Sequence, residues 1–157
     1  MRREKGTSLG LVVNLVNVYS LTSGPERLQL HQQASAFLGT LDPHECLVLG
    51  GDFNTTLEER DRSGTEQCPA AVDVLQEIVE HHSLVDVWHD HHLDDISMFT
   101  FVLVEAHWLR HSQLDHIYLS HFHLSRAHSS SIQPAPFSDH HLAIVTASLC
   151  VERLGPA

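Results

Sequence analysis

Two apolar runs joined by a helical repeat constrain the fold more than any other feature of this 157-residue chain. "LGLVVNLVNVYS" (9–20) is nearly continuous in apolar and β-branched residues, and "ECLVLGGD" (45–52) is a second, shorter run. Both read as buried strands. Between them, Pro25 suits a first helical position, with Glu26 beside it in the first turn. Leu30, Ala34, Phe37, Leu38 and Leu41 then recur on one face of an amphipathic helix. Pro69 opens a second helix whose Val72, Leu75, Val79 and His82 share a face, and "SLVDVW" ends that helical segment. Strand-like runs follow at 97–104, 112–120, 122–133 and 141–149. A strand–helix–strand–helix start followed by a run of strands predicts an α/β or α+β fold with a sheet packed against helices. The segments "NTTLEERDRSGTEQC" and "HDHHLDD" read as polar surface loops, and "RAHSSSIQPAP" as a strand leading into a turn. With no internal repeat, heptad or linker, the chain reads as one domain over 9–150, with tails at 1–8 and 151–157.

Composition narrows the function classes. At 42% apolar and 18% charged residues the chain is globular rather than disordered. No run approaches the roughly 20 apolar residues that span a bilayer. "MRREKG" followed by "LGLVVNLVNVY" mimics a secretory leader, but Asn14 and Asn17 interrupt it and no A-x-A-like site follows, so it reads as a strand. Cys46, Cys68 and Cys150 are odd in number and far apart, which suggests neither a zinc ribbon nor a disulfide framework. An intracellular location, nuclear or cytoplasmic, is expected. The net charge of −11, with Lys5 the single lysine, argues against a broad phosphate-binding surface. A nucleic-acid partner would have to be held by a local site. Fifteen histidines are the compositional oddity.

Polar residues stand at the ends of four predicted strands. "NVYS" supplies Asn17 and Tyr19, and "GGDFN" supplies Asp52 and Asn54. "SQLDHIYLS" sets Asp115 in an otherwise apolar strand, and "PFSDHHLAIV" sets Asp139 and His140 before the last one. Strand-end loops are where α/β folds build sites. These residue types suit metal-assisted hydrolysis of a phosphate ester. Carboxylates hold Mg²⁺, a carboxylate can deprotonate water, and a His and an amide can stabilise charge on phosphoryl oxygens. Gly50-Gly51 would let the backbone bend sharply where Asp52 enters.

In that order, "NVYS", "GGDFN", "SQLDHIYLS" and "FSDHHLAIV" resemble the endonuclease/exonuclease/phosphatase superfamily, whose members include deoxyribonuclease I-like and apurinic/apyrimidinic endonucleases. The pattern is most similar to the endonuclease domain of LINE-type retrotransposons and covers roughly residues 10–150. The resemblance implies a deoxyribonuclease I-like four-layered sandwich of two β-sheets flanked by helices. It also implies a Mg²⁺-dependent (or Mn²⁺-dependent) DNA endonuclease, with DNA and a polyprotein reverse transcriptase module as partners and no membrane. By resemblance Tyr19 contacts the scissile phosphate, Asp52 activates water, and Asn54 positions it and contacts phosphate. Asp115 supports the histidine, Asp139 lies near the metal, and His140 hydrogen-bonds the phosphate.

Three departures qualify the pattern. The family's N-terminal asparagine and principal metal-binding glutamate have no counterpart, since Glu4 sits in a charged tail. The chain thus resembles the C-terminal half of the domain, the N-terminal half being missing. Uncovered sheet edges, an exposed apolar face, weakened Mg²⁺ binding and little or no nuclease activity in isolation are expected. Gln113 replaces the arginine of the R-L-D pattern, and Phe101 replaces a common tryptophan.

Simpler readings accompany each of these. Asp52 and Asn54 are also turn formers, Tyr19 is also a strand aromatic, and Asp139-His140 can cap a turn. His81, His82, His89, His91 and His92, with Asp86, Asp90, Asp94 and Asp95, invite a transition-metal reading. They lack a recognisable ligand spacing and read as a solvated loop. Trp88 reads as a packing anchor, and Arg60 and Arg62 as a solvated charge run rather than DNA contacts. Two alternatives to a nuclease are a non-catalytic retrotransposon remnant that acts with a partner and a His-rich metal-binding protein.

Overall fold

The computed structural model describes residues 2–8, 11–65, 68–95, 97–105 and 107–148. Its centre is a five-stranded sheet in the order β1-β2-β3-β7-β4, built from β1 (Arg2–Ser8), β2 (Leu11–Tyr19), β3 (Cys46–Asp52), β7 (Asp115–Ser120) and β4 (Leu84–Asp86). β2 and β3 run parallel because α1 (Gly24–Leu38) carries the chain back between them. The other pairs are antiparallel. Two hairpins complete the described strands, β5 (Phe101–Glu105) with β6 (Trp108–Ser112) and β8 (Ala127–Gln133) with β9 (Leu142–Ala147). The mixed α/β class matches the sequence expectation.

Period-two alternation decides what covers each face of the sheet. Val16, Val18, Leu47, Leu49, Leu84 and Tyr118 point to one side. There they pack on Ala34 and Leu38 of α1 and on Leu75 and Ile78 of α2 (Pro69–His81). Cys46, Val48, Val13 and Leu119 point to the other side, toward Ala127 of β8 and Val145 of β9. The hairpin closes that side incompletely. Leu15, Phe137, Leu142 and Ile144 stay exposed, and a groove of ≈ 500 Å³ runs among Leu15, Val48, Ile117, Phe137 and Leu142.

Several local expectations are corrected. Residues 1–8 are not simply a tail, because Arg2–Ser8 forms β1 with Glu4 opposite Leu15. The C-terminal tail 151–157 and Cys150 lie outside the described residues. Cys46 is a free thiol, and the Cys68 thiol donates to the Gly24 carbonyl at 3.4 Å. The apolar face read in the sequence does pack on the core, with Ala34 and Leu38 buried and Leu30, Phe37 and Leu41 packed beside them, and Arg27 and His31 join the buried side of α1. His31 Nδ1 donates to the Ala71 carbonyl at 3.0 Å, tying α1 to α2. The run 122–133 begins with a 3-10 helix, His121–Arg126, and becomes strand only at Ala127. Among the described residues no helix is long and apolar enough to cross a membrane.

The histidine-rich stretch is the largest correction. "HDHHLDD" is not simply a solvated loop. Asp86 caps a short helix, α3 (Val87–His91), accepting the N–H groups of Trp88 at 2.8 Å and His89 at 3.2 Å. His92 stacks on the Trp88 ring with centroids 3.7 Å apart. His89 Nε2 meets Asp61 at 2.9 Å, and the buried His116 meets Asp86 at 2.6 Å. Trp88 is the buried anchor the sequence suggested. The helix was hidden because its start signal is one aspartate and its length is a single turn and a half.

Candidate active site

Strand alternation places three side chains in one row. Tyr19 is the partner of Asp52 across β2 and β3, and Asp52 is the partner of Asp115 across β3 and β7. All three therefore share the hairpin-side face, at the carboxyl ends of the parallel strands. Tyr19 is 72% exposed, so it stands over the site rather than in the core. Directly opposed carboxylates repel across a ladder, and the surroundings of Asp52 and Asp115 answer that cost. Asp52 Oδ1 accepts the Asn54 backbone N–H at 2.9 Å, and Asn54 Nδ2 lies 3.3 Å from Asp52 Oδ2 and 2.7 Å from the Ser20 carbonyl. Asn54 is held in the left-handed region (φ 48°) with its carbonyl accepting from the buried Arg27 of α1.

His140 completes the group. Its Nδ1 donates to Asp115 at 2.7 Å, which leaves Nε2 facing Asp52, 4.0 Å away. Thr100 holds both partners in place. Its hydroxyl accepts the N–H groups of Leu114 and Asp115 at 2.8 and 2.9 Å, and its carbonyl accepts that of His141 at 2.6 Å. An isolated bridge pairs Phe101 with His140, and their rings lie 5.3 Å apart. Tyr19, Asp52, Asn54, Asp115, Asp139 and His140 all line one cleft of ≈ 1070 Å³, with Arg27, Arg62 and Arg110. Every residue singled out in the sequence for this site reaches it. Arg27, Thr100 and Arg110 were missed. Each is distant in sequence from the motifs, and only the α1 packing and the β5–β6 hairpin bring them in.

Charge in the cleft is unusual. Burial pushes the Asp52 carboxyl up from its ordinary value, with Asp115 adding to the rise, while the Asn54 N–H, His140 and His116 oppose it. For His140 burial disfavours the charged ring, but the hydrogen bond to Asp115 and the charges of Asp115, Asp52 and Asp139 outweigh that and raise its pKa. In the metal-free chain the His140 ring is expected to titrate above its ordinary 6.5, and Asp115→Asn should bring it down. Proton NMR of the ring against pH measures both; an unchanged midpoint in Asp115→Asn would contradict the assignment.

Among the described residues, the side chains whose ligand atoms converge within 4.8 Å are Asp52, Asp115 and His140. Two carboxylate oxygens suit a hard divalent cation such as Mg²⁺ or Mn²⁺, and the imidazole suits the softer ions. None of His81, His82, His89, His91 and His92 joins that group. Asp139 lines the same cleft without belonging to it.

Gly51 is the glycine the site requires. Its φ is +131°, and a Cβ there would lie 1.9 Å from the Val18 carbonyl of β2. Gly50 has no such restriction, its Cβ position lying 3.4 Å from the nearest atom. The bend read from the Gly pair therefore belongs to Gly51. Gly51→Ala should destabilise the chain by at least about 2 kcal/mol, whereas Gly50→Ala should fall within about 1 kcal/mol of wild type, as read by urea denaturation.

Comparison with solved structures places the fold. The chain matches an AP endonuclease from Archaeoglobus fulgidus with TM-score 0.72 and 20% identity, over 93% of this chain and 65% of that one. This is the fold of the endonuclease/exonuclease/phosphatase superfamily. The 3′ phosphatase NExo from Neisseria, bound to product DNA hairpin, shares the superfamily fold with TM-score 0.66 and 17% identity, over 94% of this chain and 65% of that one. So does the endonuclease domain of TRAS1, a telomere-specific non-LTR retrotransposon, with TM-score 0.61 and 14% identity, over 91% and 61%. Among curated proteins, an uncharacterized 149 kDa protein of transposon TX1 from Xenopus laevis is 42% identical over 140 residues, which are 89% of this chain and 11% of that protein. The chain thus spans just under two thirds of the superfamily structures and about a tenth of the transposon protein. No family model matches the chain.

Proposed function

We propose that the cleft is a DNA endonuclease site that hydrolyses a phosphodiester with a divalent cation and works within a longer retrotransposon protein. The observation that carries this reading is the Asp52–Asp115–His140 group, with Asp115 2.7 Å from Nδ1 and Asp52 4.0 Å from Nε2 of the same ring. The DNA-acting proteins among the structural matches and the transposon protein support the substrate class and the context.

In this proposal the Asp52 carboxylate, its affinity for a proton raised by burial, takes the proton of the attacking water. Asn54 fixes that carboxylate through its backbone N–H and its carboxamide. Asp115 holds the proton of His140 on Nδ1 and favours the charged ring, whose Nε2–H donates to a phosphoryl oxygen as charge develops there. The Tyr19 hydroxyl, exposed over the row, contacts the same phosphate. The water oxygen bonds to phosphorus as the P–O3′ bond breaks, and the departing 3′-oxygen takes its proton from solvent. Asp52 and Asp115 are the carboxylates that would hold Mg²⁺ or Mn²⁺, with Asp139 lining the same cleft, and the ion would supply neutralisation of phosphoryl charge when bound.

Supercoiled plasmid incubated with the chain and Mg²⁺ or Mn²⁺ should convert slowly to open circles, and EDTA should stop the conversion. A chain that nicks no faster than its own Asp52→Asn variant with either ion would overturn the proposal.

A further inference from the structure

Arg62 and Arg110 enter the cleft from segments that no motif connects. An isolated bridge pairs Arg62 with Ser112 of β6, and Ser63 reinforces it, its N–H and hydroxyl donating to the His111 carbonyl at 2.8 and 3.2 Å. The His111 N–H donates back to Ser63 Oγ at 2.9 Å. Ser112 in turn pairs with Phe101 of β5, and Phe101 bridges to His140. Arg62, Ser112, Phe101 and His140 therefore form one lateral row. Arg110, two residues before Ser112, faces the same side by alternation. Three ladder steps of about 4.8 Å set the Arg62 backbone roughly 14 Å from that of His140. That is the span of a few nucleotides of one strand, at about 3.4 Å of rise each.

The charge layout of the cleft follows this row. Asp52, Asp115 and Asp139 gather at the His140 end, whereas Arg62 and Arg110 line the wall at the other end. Arg60, two residues from Arg62, is turned to a different task, with its guanidinium on Glu58 at 2.6 Å and on the Leu93 carbonyl at 2.9 Å. On a chain of net charge −11 a polyanion needs such a local cationic site.

We propose that Arg62 and Arg110 form a flanking-phosphate subsite, which holds a backbone phosphate of the DNA strand a few nucleotides from the one that meets Asp52 and His140. This rests on the endonuclease reading and adds to it how the strand is held in register. Phosphate contacts of this kind position the strand without reading its sequence.

The test is binding of a fluorescein-labelled DNA duplex by anisotropy across a salt series. Every chain carries Asp52→Asn to keep the duplex intact. Arg62→Ala and Arg110→Ala should each reduce the slope of log K against log salt by about 0.9, while Arg60→Ala leaves it unchanged. Affinity should weaken several-fold and to a similar extent for duplexes of unrelated sequence. Slopes equal to that of the parent in both variants would overturn the subsite and leave the endonuclease reading standing. A parent that shows no salt-dependent binding would overturn both. Arg110 is exposed on a hairpin, so Arg110→Ala decides the matter even if Arg62→Ala loosens its bridge.

Discussion

Asp52→Asn should cost the chain its nicking activity, by about 10²- to 10⁴-fold if the carboxylate acts as the base alone. The substitution keeps the shape and retains an oxygen for the Asn54 N–H, so the fold should survive. It removes the proton acceptor and one of the two opposed carboxylates. Asn54→Ala, which leaves the base in place but frees its orientation, should cost less. His140→Ala should cost about 10²- to 10³-fold, the loss typical of one donor to a developing anion. The pH profile carries the sign. Asp52 must be unprotonated, so the rate climbs as pH rises through its pKa, which burial raises in the metal-free chain. His140 must be protonated and its pKa is raised above 6.5, so the rate falls as pH rises through that higher value. A bell-shaped profile is expected, and Asp115→Asn should pull its alkaline limb toward lower pH. An Asp52→Asn chain that nicks at the wild-type rate would remove Asp52 from the chemistry.

Asp86→Ala should destabilise the chain by about 3 to 5 kcal/mol in urea titration. One carboxylate does two jobs. Oδ1 caps α3 through Trp88 and His89, and Oδ2 holds the fully buried His116 at 2.6 Å. Its loss removes a helix cap, worth about 1 kcal/mol, and strands a buried imidazole between Phe53 and Tyr118. Burial opposes the charge of Asp86 itself, but His116 and His89 outweigh it and draw its pKa down. Burial likewise opposes charge on His116 and His89, and Asp86 and Asp61 outweigh it and raise both. The sign follows from linkage. The histidine contribution is complete below about 6.5 and is lost as pH rises through the raised folded values. The Asp86 contribution is complete above about 3.8 and is lost as pH falls through its depressed folded value. The stability gap between wild type and Asp86→Ala should therefore be widest between these limits and narrow on the alkaline side. A gap that grows steadily from pH 6 to 9 would contradict the buried pairing.

The same network shows where sequence reading stops. "HHSLVDVWHDHHLDD" carries no ligand spacing and little apolar periodicity, so a solvated loop was the natural reading. Asp86 meets His116 and His89 meets Asp61 only because β4 pairs with β7 and the Glu59–Asp61 turn packs beside them. Those contacts cross 28 to 30 residues, a range that local pattern does not report. Arg27 tells the same story. Nothing in the first turn of α1 marks this charged residue for burial, yet it is buried, with its guanidinium on the Asn54 carbonyl.

The sequence by itself determined the strand–helix–strand frame, the mixed α/β class and the ordered set Tyr19, Asp52, Asn54, Asp115, Asp139 and His140. Alternation and turn chemistry are local properties, and a motif order survives without a structure. The tertiary structure alone decided that Tyr19, Asp52 and Asp115 form one row and that His140 turns Nε2 toward Asp52. It also decided that Gly51 rather than Gly50 is obligatory, and that Arg62 and Arg110 share the cleft. Each of these depends on which strands pair and in what register, and register is set by the packing of whole faces rather than by any one segment.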